Sequence, residues 1–159
     1  GRADSHDVAA PPAVTLRAAM AAAAGRDRIA RQYATEFEDV FALGLPALAA
    51  ARRDGLSEGA ATSAAFLAFL GAFADTHVAR NHGPAAAEAV RAEGALWRDG
   101  MQAERCSDEM RRGLLDFDAR LKARDLNPGT SADLTVATLF ADALARRAPT
   151  CGGAANLHT

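Results

Sequence analysis

Lysine, cysteine and strand-like alternation are all scarce in this chain of 159 residues, and each scarcity excludes something. Lys122 is the single lysine among 18 basic residues, set against 20 acidic ones for a formal net charge of -2. The two signs are mixed along the chain, so there is no basic stripe for nucleic acid and no polybasic segment for anionic lipid. The two cysteines, Cys106 and Cys151, lack the paired spacing of a zinc site or redox motif, and a reducing cytoplasm suits them best. No apolar run approaches the roughly 20 residues that cross a bilayer. The amino end, Gly1-Arg2-Ala3-Asp4-Ser5-His6-Asp7, is too polar for a signal peptide or anchor. With no initiating Met, the chain is expected to start after processing or within a longer protein. Phosphate-binding loop, dinucleotide fingerprint, nucleophile elbow and Cys/His dyad are all missing.

What is present is helical periodicity in a 50% apolar chain, enough for one core. The expected fold is all-α, a single bundle of six to seven helices within a larger all-α protein. Residues 1–14 form an entry segment, 15–147 the domain and 148–159 a flexible tail. Thr15 caps an Ala-rich helix that Gly25 ends. A second helix is predicted from Asp27 to Ala42, with Ile29, Tyr33, Phe37 and Val40 on one face, and Gly44 and Pro46 break it. After a brief helix through Leu48, Ser57 caps a long buried one carrying Phe66, Leu67, Phe69 and Leu70. Asn81-His82-Gly83-Pro84 interrupts the pattern, a surface helix runs from Ala85 to about Trp97, and Gly100 to Cys106 reads as loop. Ser107 opens a helix with Met110, Leu114, Phe117 and Leu121 as its stripe and Asp116/Arg120 and Asp118/Lys122 as pairs. The last helix is predicted from Ser131 to Arg147.

Two segments are chemically unusual. In Asn127-Pro128-Gly129-Thr130-Ser131-Ala132-Asp133-Leu134 a rigid turn empties into an apolar helix, offering free N–H groups to an anion or a metal-bound phosphate. The same residues also describe an ordinary start with Thr130 and Asp133 at capping-box spacing. Asp75-Thr76-His77-Val78-Ala79-Arg80-Asn81-His82-Gly83 gathers polar groups at the end of the buried helix, where Asp75 and His82 would share a face. A carboxylate with imidazoles suits a divalent ion or a reacting hydroxyl, and Arg80 suits a phosphate. Equally, Asp75 can pair with Arg80 and each histidine with a local carbonyl. Glu36, Glu38 and Asp39, near Arg28, Arg31 and Gln32, read as a solvated, charge-paired helix face.

Together with Leu114-Leu115-Asp116-Phe117-Asp118, these segments resemble the carboxyl-terminal half of the triphosphoribosyl-dephospho-coenzyme A synthase family, from about Thr15 to Arg147. Asp75, Thr76 and Gly83 match one motif; Pro128, Gly129, Ser131, Ala132, Asp133 and Leu134 match the other. His77, Arg80-Asn81-His82, Thr130 and Thr135 depart from it, toward a divergent branch of archaea and one-carbon-metabolising bacteria. The resemblance implies an all-α transferase that joins ATP to dephospho-coenzyme A with loss of adenine. It implies Asp75 or His82 as acceptor of the hydroxyl proton, and Asp133 with Ser131 on Mg²⁺ held by the triphosphate. Thr76, His77, Arg80 and Gly129 would complete substrate binding. It further implies a partner half with a Lys-Pro-Gly and an Asn-Thr-His-Lys-Gly-like segment, neither present in these residues, without which turnover is not expected. Homo-oligomerisation stays open. The alternatives are a non-catalytic helical interaction module and a metal-dependent phosphohydrolase.

Overall fold

The computed structural model describes residues 14–104 and 107–147. The amino-terminal heptapeptide, both cysteines and the tail after Pro149 lie outside them. The described chain is all-α, with no strand: α1 (Leu16–Ala23), α2 (Arg28–Ala34), a π-helical segment (Val40–Gly44) running into α3 (Leu45–Arg53), α4 (Glu58–Ala72), α5 (Thr76–His82), α6 (Pro84–Glu104), α7 (Asp108–Ala123) and α8 (Gly129–Arg147). No single helix among these residues is long and apolar enough to cross a membrane.

Local chemistry sets most of the starts. The side chains of Thr15, Asp27, Ser57, Asp75 and Ser107 each accept backbone N–H bonds from the first turn that follows. Gly83, at φ 88°, ends α5 in a conformation that only glycine adopts freely, and Pro84 opens α6 at once.

α4 is the axis of the fold. α6, α3 and α8 pack around it, and α5 and α7 pack on α6. Gly71 of α4 and Gly94 of α6 bring their helices close: a Cβ on Gly71 would sit 2.9 Å from Ala95 Cα, and one on Gly94 would sit 2.8 Å from Leu70 Cγ. Leu67, Leu70, Val78, Val90, Phe117 and Leu121 form the main cluster, with Trp97 stacked on Phe117 at a centroid distance of 6.1 Å. A second cluster, Val40, Phe69 and Leu134, joins the π segment to α4 and α8.

Four expectations are corrected. The helix predicted from Asp27 to Ala42 stops at Ala34, because Glu36 and Phe37 turn left-handed (φ 56° and 62°). Gly44 and Pro46 do not break the next helix. Pro46 lacks the N–H a regular turn would use, and the chain widens by one residue so that Leu45 N–H reaches Val40 O. Gly44 is needed there because a Cβ would collide with Thr138 and Phe69. The predicted loop from Gly100 to Cys106 is helical to Glu104, and Gly100 serves packing rather than a break, since a Cβ there would lie 2.7 Å from Met110 Cε. Finally, of the predicted α7 pairs, Asp118–Lys122 forms at 2.6 Å, but Arg120 reaches across to Glu93 on α6.

Candidate functional site

α4 does not carry its helix into the Asp75 segment. Phe73 is extended, Asp75 caps a new helix, and the two axes bend by 56°. The bend delivers Asp75 to the start of α8. Its carboxylate, 1% exposed, accepts from His77 N (2.9 Å), Val78 N (3.2 Å), Ser131 N (2.8 Å) and Ser131 Oγ (2.9 Å). One side chain thus caps two helices from residues 56 apart in the chain. Beside it, Thr76 Oγ1 and Thr130 Oγ1 are 2.9 Å apart, Thr130 Oγ1 also accepts from His77 N at 3.2 Å, and Arg28 N donates to Thr76 Oγ1 at 3.2 Å. The first turns of α2, α5 and α8 therefore meet in one hydroxyl- and carboxylate-filled junction.

The two motif segments do come together, but not with the predicted division of labour. Asp75 does not pair with Arg80, whose guanidinium lies 3.7 Å from Asp27, and it does not join His82 in one site, because Asp75 is buried at the start of α5 while His82 is exposed at its far end. Over those seven residues α5 rises roughly 10 Å. Thr130 and Asp133 do not form a capping box: the α8 start is capped by Asp75, and Asp133 points to solvent. Asp75, closed off and accepting four bonds, acts on helix positions. Among the two residues considered for the hydroxyl proton, only His82 is exposed.

The outward side of the junction is polar and accessible. His77 lies over Gly129, where a Cβ would come within 3.2 Å of the ring Cγ. Its Nδ1 is 3.1 Å from an Arg80 nitrogen, and its Nε2 is 3.0 Å from the Asn81 amide. A guanidinium only donates, so Nδ1 accepts from Arg80, while the atom facing Nε2 is the Asn81 amide nitrogen. Arg80, Asn81 and His82 are exposed, as is Asp133 on the neighbouring helix.

The donors do not fit a resident metal. Ser131 is fully buried with its hydroxyl turned to Asp75, while Asp133 is exposed, so the pair expected on Mg²⁺ does not converge. Among the described residues no three His, Cys, Asp or Glu side chains gather for an ion. A magnesium ion that arrives already coordinated by triphosphate needs only one or two protein carboxylates, which a lone Asp133 can match.

Two features escaped sequence reasoning. The first is a groove of about 720 Å³ between α4, α7 and the turn before α8, lined by Ala60, Phe66, Leu114, Leu115, Asn127 and Pro128 among others. It exists because α7 packs on α6, while the first turns of α4 offer only small residues (Gly59, Ala60, Ser63) toward the gap. The doublet Leu114-Leu115, one residue wider than the α7 stripe requires, was its only trace in the sequence. Leu115 remains 57% exposed.

The second is the burial of the charge-paired group behind the junction. Arg28 grips Asp39 through two nitrogens (2.7 and 2.8 Å) and lies 4.2 Å from the Phe73 ring centroid. Gln32, 1% exposed, accepts from Asp39 N and donates to its carboxylate. Burial pushes the Asp39 carboxyl up, but the Arg28 and Gln32 hydrogen bonds and the Arg28 and Arg31 charges outweigh it and hold the group below its usual value. The acidic segment is charge-paired as expected, with Arg31–Glu38 at 2.8 Å, yet Asp39 is buried rather than solvated.

A family model described as CitG, ATP:dephospho-CoA triphosphoribosyl transferase, matches residues 1–151. No curated protein and no solved structure matches the chain.

Proposed function

This chain belongs to the ATP:dephospho-CoA triphosphoribosyl transferase family, and from that premise we propose that it serves transfer of the triphosphoribosyl group of Mg·ATP to the 2′-hydroxyl of 3′-dephospho-CoA, releasing adenine. The observation that carries this reading is the shared turn: Asn127 and Pro128 line the apolar groove, while Gly129 lies under His77 on the polar face. Two substrates, one presenting a triphosphate to the polar face and the other an organic arm to the groove, can meet across such a turn.

On this reading the polar face receives the triphosphate. Arg80 supplies the guanidinium, and Asp133 contacts magnesium bound to the phosphates rather than the phosphates themselves, the α8 start itself being taken by the Asp75 carboxylate. The groove receives an organic portion of the acceptor along Phe66, Leu114 and Leu115. Thr76, His77 and Gly129 fix the floor between them, and Asp75 with Ser131 keeps α5 and α8 in register beneath it. Asp75 is then a positioning residue.

The reaction makes a bond from the acceptor oxygen to the anomeric carbon of ATP and breaks the bond from that carbon to the adenine nitrogen. The hydroxyl proton passes to a base, and adenine leaves with a proton in its place. Positive charge develops on the ribose in the transition state, as in glycoside transfer. His82 is the exposed group of the pair considered for the proton, and its replacement by Gln is expected to lower turnover at unchanged nucleotide affinity.

Incubating the chain with ATP, Mg²⁺ and dephospho-CoA, alongside Mg·ATP titration by calorimetry, tests the proposal. Free adenine, or saturable Mg·ATP binding that Arg80→Ala weakens about tenfold, supports it. Release of phosphate or AMP instead of adenine assigns a phosphohydrolase, and neither product nor binding assigns a non-catalytic module.

A further inference from the structure

α8 is buried along one face and carries an exposed apolar stripe on the opposite one. Its inner face, Leu134, Thr135 and Thr138, is buried against the rest of the bundle. Its outer face carries Val136 (66% exposed), Phe140 (65%) and Leu144 (53%), bracketed by exposed Asp133 and Arg147. At about 100° per residue these five positions fall within a stripe roughly 80° wide. A contiguous apolar stripe this exposed, on a helix already packed along its other side, lacks its cover. The π segment beside α8 adds Phe41, 58% exposed.

The order of the stripe says what covers it. Counted outward from Phe140, apolar residues stand four positions away on both sides (Val136 and Leu144), and charges of opposite sign stand seven away (Asp133 and Arg147). The stripe reads the same from either end except that the sign inverts. A surface of that kind is complementary to itself, provided the two helices run antiparallel about a twofold axis. Phe140 then meets the partner's Phe140, Val136 meets the partner's Leu144, and Asp133 meets the partner's Arg147, the last pair formed twice. A parallel pairing would instead set Asp133 against the partner's Asp133.

We infer that α8 is the core of a symmetric interface between two copies of this chain. This goes beyond the proposed reaction and does not depend on it. It would also place the partner's Arg147 beside the α8 start, next to the face assigned above to the triphosphate.

The test is the mass of the chain in solution, by light scattering on a sizing column. At about 100 µM the chain should run at twice its 16.5 kDa mass. Phe140→Glu, which puts two carboxylates on the axis, should give the monomer with helical circular dichroism unchanged and a melting temperature that no longer rises with protein concentration. Asp133→Arg should weaken the dimer about five- to tenfold, and the double reversal Asp133→Arg with Arg147→Asp should return it to within about threefold of the original. Should Phe140→Glu lose its fold, the double reversal decides alone. A monomeric parent chain, a dimer indifferent to Phe140→Glu, or a double reversal as weak as the single one each overturns the inference.

Discussion

Asp75 and Asp39 are both buried carboxylates, 1% and 4% exposed, and they are satisfied in opposite ways. Asp39 sits against a guanidinium and a carboxamide, both donated by α2. Asp75 meets no cation, and its charge is spread over N–H and O–H donors at the starts of α5 and α8. The first arrangement closes a local loop, fastening the strained turn at Glu36 and Phe37 to the helix just before it. The second joins segments far apart in sequence, and it sets the width between the groove and the polar face. Losing Asp39 should therefore loosen one turn, whereas losing Asp75 should move two helices.

The largest expected effect is Asp75→Asn. An amide places an NH₂ against N–H groups that still need an acceptor, so two buried donors are left unsatisfied at about 1–3 kcal/mol each. Urea unfolding should show a loss of about 3 kcal/mol, with nucleotide binding reduced as well; a loss below about 1 kcal/mol would erase the contrast with Asp39. Asp39→Asn comes next, at about 1–2 kcal/mol near neutral pH, because the amide oxygen can still accept from the Arg28 guanidinium, which also keeps its place over the Phe73 ring.

The Asp39 effect carries its own pH signature. Its folded-state pKa is depressed, so its stabilisation is complete above the unfolded carboxyl value of about 4 and drains away as pH falls through the lower folded value. The gap in stability between parent and Asp39→Asn should hold at pH 5 to 7 and shrink steadily below about pH 4. A gap that widened on acidification would reverse the sign of the account. Ser131→Ala removes one of the four bonds to Asp75 and should cost about 1 kcal/mol in the same unfolding assay. Smallest, and opposite in direction, is Glu36→Gly: glycine relieves the left-handed backbone at an exposed position and should add up to about 1 kcal/mol of stability.

Much of this fold was legible because its signals are local. Thr15, Ser57 and Ser107 cap the helices they precede, and the stripe of Met110, Phe117 and Leu121 is buried as its spacing requires. What failed to read were residues whose meaning is tertiary. Gly44 and Gly100 look like breakers in isolation, yet their neighbours are Thr138, Phe69 and Met110, which no local window contains. The site divides in the same way. Both motif segments stood out as dense in polar groups, but spacing along a single helix put Asp75 with His82, when the bend after α4 gives Asp75 to Ser131 instead. The groove was almost silent, since it arises from where α7 does not pack.

The central claim is that the turn from Asn127 to Gly129 joins a polar face to an apolar groove in one binding site. Amide hydrogen exchange with and without saturating dephospho-CoA and Mg·ATP tests it most directly. The account predicts slowed exchange together in 59–67, 111–118 and 127–133, at the groove and along the α8 start, with α1 unchanged. Protection confined to segments away from that turn, or binding that leaves all three segments exchanging as before, would contradict it.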